Sequence, residues 1–147
     1  GLLICLDHHR GSEEHQPGEE YHDPDLYDTE AGMMDSLFEL RRTIRRAGLE
    51  ETALLLVARS RAAASVWTTP LGMVFVDGGH SLQAAQDDYA GWAPKVAPEG
   101  ILAIHDLFPD PNEGGQAPIE IYRRALDSGL YQELPTVNTL GVLRRKR

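Results

Sequence analysis

The 147 residues predict an α/β protein: a doubly wound, mostly parallel sheet with helices on both faces and a C-terminal antiparallel β-hairpin. Three observations carry this prediction. First, short strand-like runs alternate with amphipathic segments along the chain. Second, these runs are continuously apolar and do not alternate between apolar and polar residues. Third, the chain closes with two strand-like segments that are separated by one short turn. Continuous apolar runs are typical of parallel strands that are covered on both faces. The length fits one domain, spanning residues 1–147, with one core.

The elements follow in a regular order. Apolar runs predict four strands before the hairpin, at residues 2–6, 52–58, 72–77 and 101–106. Helix-start residues and helical periodicity predict the intervening helices, which begin at Ser36, Ser60, Ser81 and Pro118. The sequence APEG should turn the chain into the fourth strand. Asn138 should lie at the turn of the closing hairpin, with Pro135 on an edge strand.

The first helix has a specific start signal. Ser36 and Glu39 have the spacing of a capping box, and Gly48 is a plausible stop. Before this helix, residues 8–32 form a polar, acidic, histidine-rich stretch that we expect to be a long loop. Loops of this length in compact domains are usually functional or disordered.

Negative charge is concentrated at the start of the chain. Residues 1–35 hold ten acidic residues and one basic residue, Arg10, whereas the other 112 residues are neutral overall. Such a patch repels phosphates, which argues against a nucleic-acid partner. No apolar run is long enough to span a membrane. The single Cys5 fits a reducing cytoplasm, and the sequence leaves a homo-oligomer open.

Polar groups follow the apolar runs at the predicted strand ends. Asp7, Ser60, Asp77 and the pair His105–Asp106 all occupy such positions. In open α/β sheets, ligands bind beyond the carboxyl ends of the strands. The sequence therefore predicts that Asp7, Asp77 and Asp106 converge on one edge of the sheet.

The segment VFVDGGHSLQAAQDDYAGWAPKVAPEGILAIHD, followed by a helix and a hairpin, resembles the second half of class I S-adenosylmethionine-dependent methyltransferases. It is most similar to bacterial small-molecule methyltransferases whose fourth strand ends in Asp-Gly-x-His and whose fifth ends in His-Asp. LLICLDHHRG resembles that family's second strand and LLLVARS its third. The resemblance implies a Rossmann-like fold and methyl transfer from S-adenosylmethionine to a small hydroxylated molecule.

The resemblance also implies roles for individual residues. Asp7 would bind the ribose of S-adenosylmethionine with His8 beside it, Ser60 would lie near the adenine, and Asp77 would face the methyl-transfer site. An acceptor hydroxyl must lose its proton as it attacks, and histidine suits that task near neutral pH. His80, which follows two glycines, is the preferred base, and His105 is the alternative catalytic histidine.

A divalent metal would serve the same purpose by lowering the pKa of the hydroxyl. Asp77 and Asp106 resemble the oxygen ligands of metal-dependent relatives, for which Mg²⁺ is the usual choice. A third carboxylate expected beside Asp106 is His105 here. This replacement leaves room for a softer metal or for none.

One part of the family pattern is absent from the 147 residues. The glycine-rich first motif, which normally precedes the ribose-binding acid, is not found, because only six residues come before Asp7. We therefore expect an N-terminally truncated domain that lacks the first strand and helix. Two alternatives stay open: a metal-dependent hydrolase that uses the Asp and His residues at the strand ends, and a catalytically inactive binding module.

Overall fold

The computed structural model describes residues 1–79 and 81–147 and has the α/β architecture that the sequence predicts. In chain order the strands are β1 (Leu3–Asp7), β2 (Tyr27–Asp28), β3 (Met33–Met34), β4 (Ala53–Val57), β5 (Leu71–Val76), β6 (Val96–Ile104), β7 (Tyr131–Val137) and β8 (Leu140–Arg145). The α-helices are α1 (Leu37–Arg46), α2 (Ser60–Val66), α3 (Leu82–Trp92) and α4 (Ala117–Asp127). None of the described helices has the length and apolar character needed to cross a membrane.

The chain divides into two compact units, Gly1–Ala62 and Ala63–Arg147. In the first unit, β1 and β4 pair in parallel, with Asp7 opposite Val57. The stretch 8–32 is more ordered than a plain loop, because it contains two short 3-10 helices, Glu13–His15 and Pro24–Leu26, and the strand β2. β2 pairs with β3 in a small antiparallel ribbon.

Helix α1 begins where the sequence predicts, but its start is built differently. The side chain of Ser36 makes no capping hydrogen bond, so the predicted capping box is wrong. Instead, Oδ1 of Asp35 accepts a hydrogen bond from the Leu37 amide at 2.9 Å, and Glu39 pairs with Arg42 one helical turn later. Ser36 Oγ lies 2.9 Å from Nδ1 of His9, so a tertiary partner displaces the local cap.

The second unit contains a four-stranded sheet in the order β5-β6-β8-β7. β5 and β6 are parallel, and the β7–β8 hairpin is antiparallel to β6. The hairpin turn at Asn138 and the edge position of Pro135 in β7 are as predicted. The expected turn at 97–100 is wrong, because β6 already begins at Val96 and continues through these residues, with Glu99 in the left-handed region at φ 64°.

The best-buried side chains belong to the second unit. Leu102 and Ile104 of β6, Ile121 of α4 and Leu143 of β8 are each at most 1% exposed. Tyr131 is buried too, and its hydroxyl donates a hydrogen bond to the carbonyl of Ala93 at 2.7 Å. This core surrounds β6 and therefore fixes the position of the residues that follow it.

The sheet arrangement confirms the predicted class and part of the predicted topology. Parallel pairing holds for β1–β4 and β5–β6, whereas the pairs β6–β8 and β7–β8 are antiparallel. Among the described strands, the parallel pairs therefore lie in two separate small sheets rather than in one continuous sheet.

Candidate functional site

Two neighbouring strand ends bring three polar side chains together in the second unit. Asp77 follows β5, and His105 and Asp106 follow β6. The parallel register places Val76 beside Ile104, so the next residues of both strands emerge side by side. The amide of His105 donates to the carbonyl of Val76 at 3.0 Å, which extends the pairing by one residue.

His105 is the centre of this cluster, which we call the Asp-His-Asp cluster (Asp77, His105 and Asp106). Its Nδ1 lies 3.1 Å from Oδ1 of Asp77 and 3.1 Å from Oδ1 of Asp106. One donor atom from each of the three residues lies within 4.8 Å of the others. The side chains of Asp77, His105 and Asp106 are 46%, 39% and 24% exposed, so a ligand from solvent can reach them.

The backbone at Asp106 is unusual. Its φ is 59°, in the left-handed region that non-glycine residues rarely adopt. The chain is held there by the next residue, because the amide of Leu107 donates to the carbonyl of Thr139 at 2.9 Å and Leu107 itself is buried. A strained conformation that its surroundings maintain is typical of functional sites.

Thr139 is a residue of this site that sequence reasoning missed. It lies between β7 and β8, and its Oγ1 is 3.5 Å from Nε2 of His105. The sequence predicts a hairpin turn around Asn138, next to this residue. Nothing local indicates that this turn reaches the end of β6, since that depends on β8 pairing with β6.

The turn after Asp77 is tightly packed. A Cβ atom at Gly78 would lie 2.7 Å from Oδ2 of Asp88, a residue of α3, so only glycine fits without a shift. Gly78, Gly79, Asp88 and His105 help to line a shallow cavity beside the cluster. Ser81 begins α3 as predicted, because its hydroxyl oxygen accepts from the Ala84 amide. His80, the preferred catalytic base, lies outside the described residues.

The other candidate residues belong to the first unit. Asp7 ends β1 with an exposed side chain, and its Oδ1 accepts a hydrogen bond from the His9 amide at 2.7 Å. Nδ1 of His8 accepts from the Arg10 amide at 3.0 Å and lies 4.0 Å from Asp7 Oδ1. Ser60 begins α2. The convergence of Asp7 with Asp77 and Asp106 stays a prediction, because these residues belong to different units.

His9 follows β1 and is one of the histidines that the sequence offers as possible site residues, together with His8. It is 5% exposed and has a positive φ of 61°. Its Nδ1 faces Ser36, whereas its Nε2 is buried with no hydrogen-bond partner in the described part of the chain. The contact of the His9 side chain with Ser36 links the segment after β1 to the start of α1. It thereby positions the His9 backbone amide, which donates to Asp7.

A family model described as a methyltransferase domain matches residues 1–107. The chain belongs to this family. Its membership confirms the methyltransferase resemblance drawn from the strand ends, and the matched region includes Asp7, Asp77, His105 and Asp106.

Solved structures show that methyltransferases share this fold. The O-methyltransferase NovP is 18% identical with a TM-score of 0.69 over 99% of this chain and 60% of that chain. An O-methyltransferase family protein from Burkholderia thailandensis is 17% identical with a TM-score of 0.55 over 74% of this chain and 40% of that one. The chain thus spans less than two thirds of both proteins.

A third match covers most of both chains. SMU.1697c, a putative methyltransferase from Streptococcus mutans, was solved in complex with SAH and is 12% identical. Its TM-score is 0.55, and the match covers 97% of this chain and 88% of that chain. At these identities the comparisons establish the fold, and the chemistry has to be argued from the residues of this chain.

Proposed function

We propose that this chain forms part of an S-adenosylmethionine-dependent enzyme that methylates a hydroxyl group of a small molecule. The observation that carries the proposal is the Asp-His-Asp cluster at the ends of β5 and β6 in a chain of the methyltransferase family. A cluster of proton-accepting and metal-binding groups at this edge suits deprotonation of a hydroxyl.

The carboxylate of Asp7 fits the ribose of the cofactor. One of its oxygens is held by the His9 amide, and the side chain is 60% exposed, so its other oxygen is accessible to a hydroxyl donor. A carboxylate that is fixed by a backbone amide accepts a hydroxyl hydrogen bond with little loss of rotamer freedom. We assign His8 and Ser60 to the surroundings of the same nucleoside.

Methyl transfer has a simple balance of bonds. The acceptor oxygen forms a bond to the methyl carbon while the carbon–sulfur bond breaks and its electron pair stays on sulfur. The hydroxyl proton must go to the protein, and we assign its removal to His80 on the sequence pattern that places it after Gly78 and Gly79. We assign Asp77 to holding the positively charged sulfonium region of the cofactor, or a cation, at the methyl-transfer site.

The donor set also fits a divalent cation. Asp77 and Asp106 each offer a carboxylate oxygen, and His105 offers a ring nitrogen. These three atoms all lie within 4.8 Å of one another. A cation bound there would lower the pKa of a coordinated hydroxyl. The pairing of β5 with β6 brings Asp77 and Asp106 to neighbouring strand ends.

The ten acidic residues among positions 1–35 support a small-molecule acceptor rather than a nucleic acid, because they would repel phosphates. A cytoplasmic location and a homo-oligomer belong to the proposal as well. The test of the proposal is an assay of the intact protein for methyl transfer from labelled S-adenosylmethionine to a panel of phenols, catechols and sugar hydroxyls.

Labelled O-methyl product, lost when Asp7 is replaced by Ala, would support the proposal. Cofactor binding without any methyl transfer would indicate a binding module. Metal-dependent cleavage of esters in the absence of S-adenosylmethionine would favour the hydrolase reading instead.

A further inference from the structure

The orientation of the His105 ring has a chemical consequence. Nδ1 faces two carboxylate oxygens at 3.1 Å, and Nε2 faces the hydroxyl of Thr139 at 3.5 Å. Thr139 Oγ1 is placed to accept from Nε2–H, which leaves Nδ1 to face the two carboxylate oxygens. Nδ1 and these oxygens share one small space, which either a proton on Nδ1 or a metal cation can occupy.

The surroundings hold the ring in this orientation. The Thr139 carbonyl accepts the Leu107 amide at 2.9 Å, so the hairpin turn is fastened to the chain just after the cluster. The ring of Phe75 lies beside the imidazole, with 6.2 Å between the ring centroids. Histidine ligands of metals usually donate their second nitrogen to a fixed acceptor, which sets the tautomer and the ring orientation.

We propose that His105 binds the cation of this site through Nδ1 and, with Asp77 and Asp106, selects a first-row transition metal such as Co²⁺ or Zn²⁺ over Mg²⁺. This inference rests on the proposed function only for the existence of a cation there. Imidazole nitrogen suits Zn²⁺ and its neighbours, whereas Mg²⁺ prefers a set made entirely of oxygen ligands. Thr139 is the positioning residue for the nitrogen ligand.

The test uses the purified protein after chelator treatment, with Co²⁺ and Mg²⁺ as the probes. Dissociation constants are measured by calorimetry, and the Co²⁺ form is examined by proton NMR. A coordinated imidazole gives a strongly shifted, solvent-exchangeable resonance from its remaining N–H. We expect Co²⁺ to bind at least roughly tenfold more tightly than Mg²⁺, with one such resonance assigned to Nε2–H of His105.

Two matched pairs of variants sharpen the test. His105→Asp makes the donor set all-oxygen and should remove the resonance and reduce the preference for Co²⁺ by at least roughly tenfold. Thr139→Val should weaken Co²⁺ binding about 10–100-fold, and Thr139→Ser should retain it. The double variant Asp77→Asn/Asp106→Asn should abolish the resonance. The double variant His15→Gln/His22→Gln should leave it unchanged, which would show that the metal binds at the cluster and not in the histidine-rich stretch.

The proposal is overturned if His105→Asp leaves the preference unchanged. It is also overturned if the resonance survives in Asp77→Asn/Asp106→Asn, or disappears in His80→Gln or in the His15 and His22 double variant. A parallel methyl-transfer assay keeps the two ideas apart. Full activity after complete chelation would remove the metal inference and leave the proposed function standing, whereas metal binding without methyl transfer would do the reverse.

Discussion

The strands β5 and β6 end in the same cluster, but their bodies are packed differently. Leu102, Ala103 and Ile104 of β6 are at most 1% exposed, whereas Met73 and Phe75 of β5 are 57% and 53% exposed. β6 is hydrogen-bonded to strands on both sides, and in the described part of the chain β5 pairs with β6 alone. Two apolar runs that look alike in the sequence therefore have different surroundings.

Because of this difference, the residues that stabilise the fold and the residues proposed to carry out the reaction lie at different positions of the same two strands. Apolar area that is removed from water contributes about 25 cal/mol per Å², so β6 contributes far more to folding than the exposed positions of β5. The cluster residues lie beyond both strands and remain exposed to solvent. Substitutions at the strand ends should therefore reduce activity, and substitutions in the body of β6 should reduce stability.

The largest effect is expected at the end of β5. In the intact enzyme, His80→Ala should lower the rate of methyl transfer about 10²–10⁴-fold, because it removes the proposed proton acceptor. Asp77→Asn keeps the shape of the side chain but removes a charge that would hold a metal or the cofactor's sulfonium region, so it should lower kcat/KM as well. Steady-state kinetics with labelled S-adenosylmethionine measures both effects.

Thermal unfolding of the same variants is the control. Both variants should unfold close to the temperature of the wild type, because both positions follow the apolar run of β5 in the sequence rather than lie within it. If His80→Ala unfolds far below wild type, or keeps full activity at neutral pH, His80 is structural. The base would then have to be sought at His105 or at His8 and His9.

Within the strand bodies, Leu102→Ala should destabilise the protein by about 2–5 kcal/mol, because it leaves a cavity in a site with no exposure. Met73→Ala in β5 is the matched control, and it should cost about 1 kcal/mol or less. Urea unfolding of both variants gives the comparison directly. Equal losses would mean that β5 is as well covered in solution as β6.

The strand that covers the second side of β6 contains a further sensitive position. A Cβ atom at Gly141 of β8 would overlap Leu107 and lie 2.5 Å from the Tyr122 ring. Gly141→Ala should therefore cost about 1–3 kcal/mol through overpacking. The measurement is again urea unfolding, with Gly72→Ala as the control, because a Cβ at Gly72 would meet no atom within 4 Å.

The sequence predicted the elements that depend on local signals. The helix start at Ser81, the hairpin turn at Asn138 and the strand ends at Asp77 and Asp106 all follow from short-range chemistry. The start of α1 was predicted with the wrong cap, because Ser36 bonds to His9, 27 residues away. A capping rule cannot foresee a partner that only the folded chain supplies.

The candidate site shows the same division. Asp77, His105 and Asp106 could be chosen from the sequence because each follows an apolar run and neighbouring parallel strands end together. Thr139 could not, since its approach to His105 depends on the antiparallel pairing of β8 with β6. The burial of β6 relative to β5 was equally invisible, because an apolar run does not reveal how many neighbours a strand has.

The smallest expected effect concerns the contact of α4 with β7, on the far side of the β8 strand from β6. The hydroxyl of Tyr122 donates to Oε1 of Glu133 at 2.8 Å. Burial, together with this hydrogen bond, raises the pKa of Tyr122 from 10.0 to about 12. The folded state therefore favours the neutral phenol. Its contribution to the free energy of unfolding is complete below pH 10 and is lost as the pH rises towards 12.

Tyr122→Phe should cost about 1 kcal/mol at neutral pH and should flatten, in part, the alkaline decline of the unfolding free energy. Part of the decline should persist, since burial also raises the pKa of Tyr131. Urea unfolding across this alkaline range checks the prediction, and an identical decline in Tyr122→Phe would mean that Tyr122 is hydrated in the folded protein.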